Sequence, residues 1–263
     1  MATVHLQIIN ANGEVLAQQS GENRADLLYR GVYAEGDRIV VTVPEENSHI
    51  IWQVDETLGA AMCYLKPKTF SYAIPFGDKM RVYSPKAFSG DRHYIYARLA
   101  DVEEIRTYRN LAVNVADQHR VEGCYPHADA NVETRGESVF EAKNAIDGVY
   151  ANRGHGNWPY ASWGINRDPQ ARMQLEFGRP VRINRIRICL RADFPHDSYW
   201  TSGTVNFSDG SVEVLNFSKT DKCQTFDIVP RTVEWLTFDE LIKADDESPF
   251  PALTQIAVYG ADI

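Results

Sequence analysis

The feature that most constrains this 263-residue chain is the recurrence of short β-forming runs, each closed by Gly, Pro, Asn or Asp. The first half carries VHLQIIN, DRIVVTV, HIIWQV and HYIYARL. The second carries MQLEFG, INRIRICLR, GTVNF, VEVLNF, QTFDIV, VEWLTF and QIAVYG. Runs that repeat every 8–12 residues or so, with turn residues between them, are the pattern of an all-β sandwich or barrel. Asn12-Gly13 and Asp209-Gly210 each sit between two such runs, where a type I′ hairpin turn is expected. Short helices fit at 24–29, 137–147 and 238–244, and none is long enough for an α/β fold. The expected fold is therefore all-β: two packed antiparallel β-sandwich domains of the jelly-roll kind. The boundary falls where HYIYARLA gives way to the charged DVEEIRTYRN, dividing the chain into 1–108 and 109–263. No Pro- or Gly-rich linker separates them, so the two are expected to pack together.

Composition narrows the partners. Lys and Arg number 27 against 36 Asp and Glu, a formal charge of −9. That balance argues against nucleic acid, whose phosphate backbone needs a basic footprint. No apolar run approaches the length of roughly 18 residues that a membrane span requires. The opening MATVHLQIIN has no basic segment leading into an apolar one. The expected location is thus cytoplasmic if the chain is complete, and secreted or cell-surface if a leader precedes it. Cys63, Cys124, Cys189 and Cys223 form no CxxC pair, which excludes the usual structural zinc spacings. Cys189, inside the apolar run IRICL, reads as a buried free thiol in preference to a Cys189–Cys223 disulfide.

From Asn110 onward the order of motifs becomes specific. Asn110-Leu111-Ala112 opens it, followed by the small-residue stretch YPHADAN at 125–131 and the turn N-A-I-D-G at 144–148. Ala161-Ser162-Trp163, QLEFG at 174–178, INRIRICLR and QIAVYG at 255–260 complete it. This succession resembles the discoidin family, also called coagulation factor 5/8 type C, a galactose-binding-like family of carbohydrate-binding modules. The resemblance covers about the last 155 residues and implies an eight-stranded jelly roll that binds glycan through loops at one end. It also implies a structural calcium as a candidate cofactor. The ligand set carried over is Asp147, carbonyls around Asn144 and Asn152, and position 255. Gln255 stands where the family has Glu, and an amide oxygen brings no charge to a calcium site. The alternative for Asp147 is a residue that caps its own turn.

Sugars need flat apolar faces to stack on and planar polar groups for their hydroxyls, arranged in a concave site. Three segments expected to be loops carry aromatics, histidines and carboxylates: NRGHGNWPY at 152–160, RADFPHDSYW at 191–200, and YPHADAN at 125–131 with His127 and Asp129. Trp158, Tyr160 and Trp200 are the candidate faces, while His155, Arg191, His196 and Asp197 are the candidate hydrogen-bonding groups. Trp200, following polar residues, is expected to be exposed, whereas Trp163 and Trp235 are expected in the core. Arg191 or Asp193 equally reads as half of an internal ion pair, and His127 as a satisfied structural histidine. A rival reading from another class is a carbohydrate-active or metal-dependent hydrolase using His127, Asp129, Glu133, His155, Asp193, His196 and Asp197. No HExxH, GxSxG, P-loop or dinucleotide fingerprint supports it. A third is a protein-interaction module with a protein partner. The first half, with Trp52, Tyr64 and Tyr72 in its runs, receives no ligand.

Overall fold

The structure is a computed structural model that describes residues 2–191 and 198–263. The first half contributes β1 (Thr3–Ile9), β2 (Val15–Glu22), β3 (Arg24–Arg30), β4 (Arg38–Thr42), β5 (Ser48–Gln53), β6 (Ala61–Leu65), β7 (Thr69–Ala73) and β8 (Arg92–Leu99). Helix α1 (Val102–Arg106) follows, then β9 (Arg109–Asn110), β10 (Cys124–Tyr125), β11 (His127–Ala130) and β12 (Trp163–Gly164). The long strands come last: β13 (Met173–Arg191), β14 (Trp200–Phe207), β15 (Val212–Asn216), β16 (Gln224–Lys243) and β17 (Ala252–Asp262). All pairings between them are antiparallel.

A four-stranded sheet, β2-β1-β4-β7, and a five-stranded sheet, β10-β6-β5-β8-β3, face one another across the first core. Each inner face is supplied by alternate residues: Val4, Leu6 and Ile8 from β1, Ile50 and Trp52 from β5, Ile95 and Ala97 from β8. The segment 24–29 is β3 and not a helix. Ala25, Leu27 and Tyr29 point inward while Leu28 is exposed, and pairing to β8 from Arg24↔Arg98 to Arg30↔Arg92 fixes the period at two.

In the second half one sheet, β12-β17-β13-β16-β14-β15, wraps a single core, with β11 added to β13 and β9 to β17. It can do so because β13 and β16 bend where their register shifts between Glu176 and Val181. Gly178 sits at the bend with φ 71°, and a Cβ there would lie 2.4 Å from the Tyr125 ring. Residues 238–244 run into the end of β16 and are likewise not helical, whereas 137–147 does hold short 3-10 turns, Ser138–Phe140 and Ala142–Ile146. Among the described residues no helix is long and apolar enough to cross a membrane.

Both expected hairpin tips turn the chain, but with a different geometry. Gly13 N donates to Asn10 O at 3.0 Å and Asn10 N to Glu14 O at 3.0 Å. Gly210 N likewise donates to Phe207 O at 2.9 Å and Phe207 N to Ser211 O at 3.0 Å. These are three-residue loops in which only the glycine is left-handed, at φ 86° and 82°. The Asn10 and Asp209 side chains stabilise them by accepting from backbone N–H groups within the loop.

Cys189 is not a free thiol but is bonded to Cys223. The register explains it: Ile188 pairs with Gln224, so the next residue of β13 and the one preceding β16 lie side by side. Cys63 and Cys124 are free and buried.

The halves are interlocked. β10 belongs to the second half of the chain yet pairs with β6 (Cys124↔Leu65, Tyr125↔Tyr64), and Ala116 and Cys124 pack into the first core. Asp262, at the end of β17, meets His49 of β5 at 3.0 Å, Arg109 at 2.7 Å and Arg179. Burial alone would raise the Asp262 carboxyl, but His49, Arg179 and Arg109 together hold it far below the usual carboxylate range.

Candidate functional site

The residues expected to bind ligand separate into three environments. His155 and Arg191 come together around a cavity of about 290 Å³, with Thr134, Arg135, Phe140, Asn166, Arg167 and Phe250. Arg191 is buried at the end of β13, and its Nη1 donates to Ser162 Oγ at 3.4 Å. β12 forms one wall, and only glycine fits there: a Cβ on Gly164 would lie 2.7 Å from Thr134 Oγ1 and 3.1 Å from the Phe140 ring. Thr134 Oγ1 in turn accepts from Asn166 N at 2.9 Å, which sets the turn that presents Arg167. The Arg167 guanidinium lies 4.4 Å from the centre of the exposed Phe250 ring, and that of Arg135 lies 5.4 Å from Phe140. The cavity thus alternates aromatic faces with planar cationic donors.

Trp158 lies elsewhere. Its N–H donates to Arg81 O at 2.7 Å, while Arg81 Nε donates to Asn157 Oδ1 at 2.8 Å, so this part of the loop docks onto the first half. There it borders a smaller cavity with Leu58, Tyr83 and Lys143. Tyr160 folds back over Gly154, whose position would not admit a Cβ without pressing on the ring at 3.1 Å. His196 and Asp197, with Asp193, lie outside the described residues.

Trp200 is not an exposed stacking residue. It is fully buried as the first residue of β14, with its ring centre 6.3 Å from Trp163 and 6.0 Å from Phe238. Trp163 is core as expected, but Trp235 is half-exposed. The pairing Trp235↔Glu176 sits beside the bend, and the register shift there carries the indole to the outer face.

The residues expected to hold calcium do meet in part, but they do not fit a cation. Gln255 Nε2 donates to Asn144 O at 2.6 Å and to Asp147 Oδ1 at 2.8 Å, while its Oε1 accepts from Gly148 N at 3.0 Å. The positive end of an amide dipole therefore occupies the space between the two oxygens where a cation would sit. The Asn152 side chain donates from Nδ2 to the carbonyls of Leu190 and Asp221. Burial pushes the Asp147 carboxyl up to about 7 despite the Val149 N–H and Lys143 beside it. Its Oδ1 also accepts from Val149 N at 2.8 Å, so Asp147 does cap its turn.

This arrangement makes Gln255→Glu a direct test. Replacing the amide donor with a second carboxylate is expected to destabilise the metal-stripped fold by about 1–3 kcal/mol, the cost of unmatched buried polar groups. Millimolar calcium is expected to restore that variant's melting temperature and to leave the metal-stripped wild type unmoved. A wild-type Tm that climbs on adding calcium would refute the amide assignment.

The histidines of the hydrolase reading are divided as well. His127 is buried, and its Nδ1 lies 2.7 Å from Asp117 Oδ1, while Asp117 Oδ2 accepts from Ala128 N. Burial lowers the His127 imidazole, but the bond to Asp117 together with the negative charges of Asp117, Asp129 and Glu176 outweighs it, and the net shift is upward. That is a structural histidine fixing β11. Glu133 and Asp129 instead approach His119, with His119 Nε2 2.8 Å from Glu133 Oε2. His155 belongs to the cavity already described.

Sequence reasoning missed Phe140, Arg135, Arg167 and Phe250. Two signals were present: the turn INRDP at 165–169, and an aromatic framed by prolines in SPFP at 248–251. The first is a turn with left-handed Asn166 and Arg167, at φ 49° and 61°.

No protein-family model matches the chain, and no curated protein matches it significantly. Solved structures share part of the fold. A chitosan-binding module from a chitosanase/glucanase of Paenibacillus sp. IK-5 is 19% identical with a TM-score of 0.40, over 57% of this chain and 98% of the module. A family 32 carbohydrate-binding module from C. perfringens, solved with galactose, is 18% identical with a TM-score of 0.38, over 50% of this chain and 91% of its own. A fucose-binding module of Streptococcus pneumoniae is 10% identical with a TM-score of 0.42, over 58% and 98%. At such identities the likeness is one of fold alone.

Proposed function

We propose that this protein binds glycan, without chemistry, in the cavity between Arg191, Phe140 and Phe250. The observation that carries the reading is the pairing of aromatic faces with planar donors in one concavity of about 290 Å³, near the lower end of small-molecule sites. Phe250 offers an exposed apolar surface for the C–H face of a sugar ring. Arg191, Arg167, His155 and Asn166 supply polar groups at its rim.

A glycan array probed with the whole protein, in calcium and again in chelator, tests the function. Calorimetry with the best hit then tests the place. Phe250→Ala and Arg167→Ala remove exposed side chains and are expected to keep the wild-type Tm. Each is expected to weaken binding about tenfold, close to 1.4 kcal/mol. An array blank under both conditions would shift the reading to a protein partner. Undiminished affinity in both variants would move the site elsewhere.

A further inference from the structure

A separate group of polar side chains lies in the first sandwich, where the start of β8 meets the loop after β5. One oxygen each from Asp55 and Glu56 and a ring nitrogen of His93 all lie within 4.8 Å of one another. Asp55 and His93 are buried and Glu56 is exposed. His93 Nε2 lies 3.1 Å from the Gly31 carbonyl, an acceptor only, so this nitrogen carries the proton and Nδ1 keeps its lone pair. His93 Nδ1 is nonetheless buried with no hydrogen-bond partner. The Tyr33 hydroxyl is buried without one too, and the two rings are centred 4.1 Å apart. Orphaned buried polar atoms are rare because each gives up its hydration for nothing. The orphaned Nδ1 of a buried imidazole that meets two carboxylates calls for a ligand that accepts a lone pair.

The geometry points to a structural site for a first-row divalent cation of the zinc type, held by Asp55, Glu56 and His93 Nδ1. A mixed imidazole and carboxylate set suits zinc, whereas calcium asks for about six to eight oxygens. Ligand atoms about 2.0–2.2 Å from a shared ion lie within roughly 4 Å of one another, so a small closure of the group suffices. Asp55 is already positioned. Its Oδ1 accepts from Thr57 N and Oγ1 at 2.8 and 2.6 Å, and its Oδ2 from Phe88 N at 2.6 Å. Such outer bonds orient a metal carboxylate and leave Oδ2, which accepts only one of them, a lone pair for the ion. Glu56 makes only a long contact of 3.4 Å from Tyr94 N and can swing inward from solvent. The ion would tie β8 to the loop after β5 at one end of the sandwich.

The test is calorimetric titration of the metal-stripped full chain with zinc chloride, with thermal melting alongside. Zinc is expected to bind and to raise the Tm. Glu56→Gln and His93→Asn are each expected to weaken binding at least tenfold, and His119→Gln, in the other His/Asp/Glu group, is expected to leave this binding unchanged. Glu56 is exposed, so its variant reads out the site even if His93→Asn fails to fold. Three results would overturn the assignment: no zinc binding, binding untouched by Glu56→Gln, or binding lost only with His119. A bridging water in place of a metal would show as the first of these.

Discussion

Trp200→Ala is expected to lower the stability of the second half by about 3–5 kcal/mol, the usual range for truncating a fully buried Trp or Phe. The indole is completely enclosed, tilted against Trp163 and edge-on to Phe238. Trp163 and Phe238 cannot collapse into its place, because these rings are held on the paired strands β12 and β16. Urea denaturation followed by near-UV circular dichroism is the appropriate measurement, with an early unfolding midpoint as the result. A variant as stable as wild type that had lost glycan affinity would return Trp200 to the ligand and refute its burial.

Asp262→Asn is the second large effect, again about 3–5 kcal/mol, because it leaves half-buried guanidinium groups without their anion. His49, Arg109 and Arg179 converge on that one carboxylate, and the Arg179 guanidinium also lies 5.0 Å from the centre of the Tyr64 ring. His49 and Tyr64 come from the first half, so the loss is felt at the seam. The pH dependence follows from the depressed carboxyl. Its contribution is fully present above the unfolded value near 3.9 and is lost as pH falls toward the lower folded value. The stability difference between wild type and Asp262→Asn is thus expected to be greatest at neutral pH and to shrink below about pH 4. A difference that stayed constant down to pH 2 would show that the charge is not its source.

The all-β class was legible because inward and outward residues alternate with turn signals between runs. Met173, Leu175 and Phe177 against Gln174 and Glu176 are one instance, with the first three fully buried. What failed were inferences from local context where register decided. Trp200 follows polar residues and looks like loop, yet pairing with Lys243 makes it the first residue of a strand. Trp235 sits in an alternating run and looks like core, yet the bend nearby turns it outward. The 24–29 segment has two adjacent leucines that suit a helix, and only the partner strand β8 selects the β period. The candidate cavity was half legible for the same reason. His155 and Arg191 stand in conspicuous segments, while Arg135, Arg167 and Phe250 converge from three distant stretches that no spacing connects. The amide of Gln255 was noticed as a departure in charge. That its donor end would face two oxygens required the fold.

The strand exchange at β10 has a consequence for how the chain is made. Synthesis proceeds from the N-terminus, so β6 emerges some sixty residues before Cys124 and Tyr125, the residues that pair with it. Throughout that interval β6 is the outer strand of its sheet, with unpaired N–H and C=O groups open to any extended segment nearby. The first sandwich cannot close that edge from its own residues. The nascent protein is therefore most exposed to mispairing during that stretch of translation, and a ribosome stalled before codon 124 would hold it there.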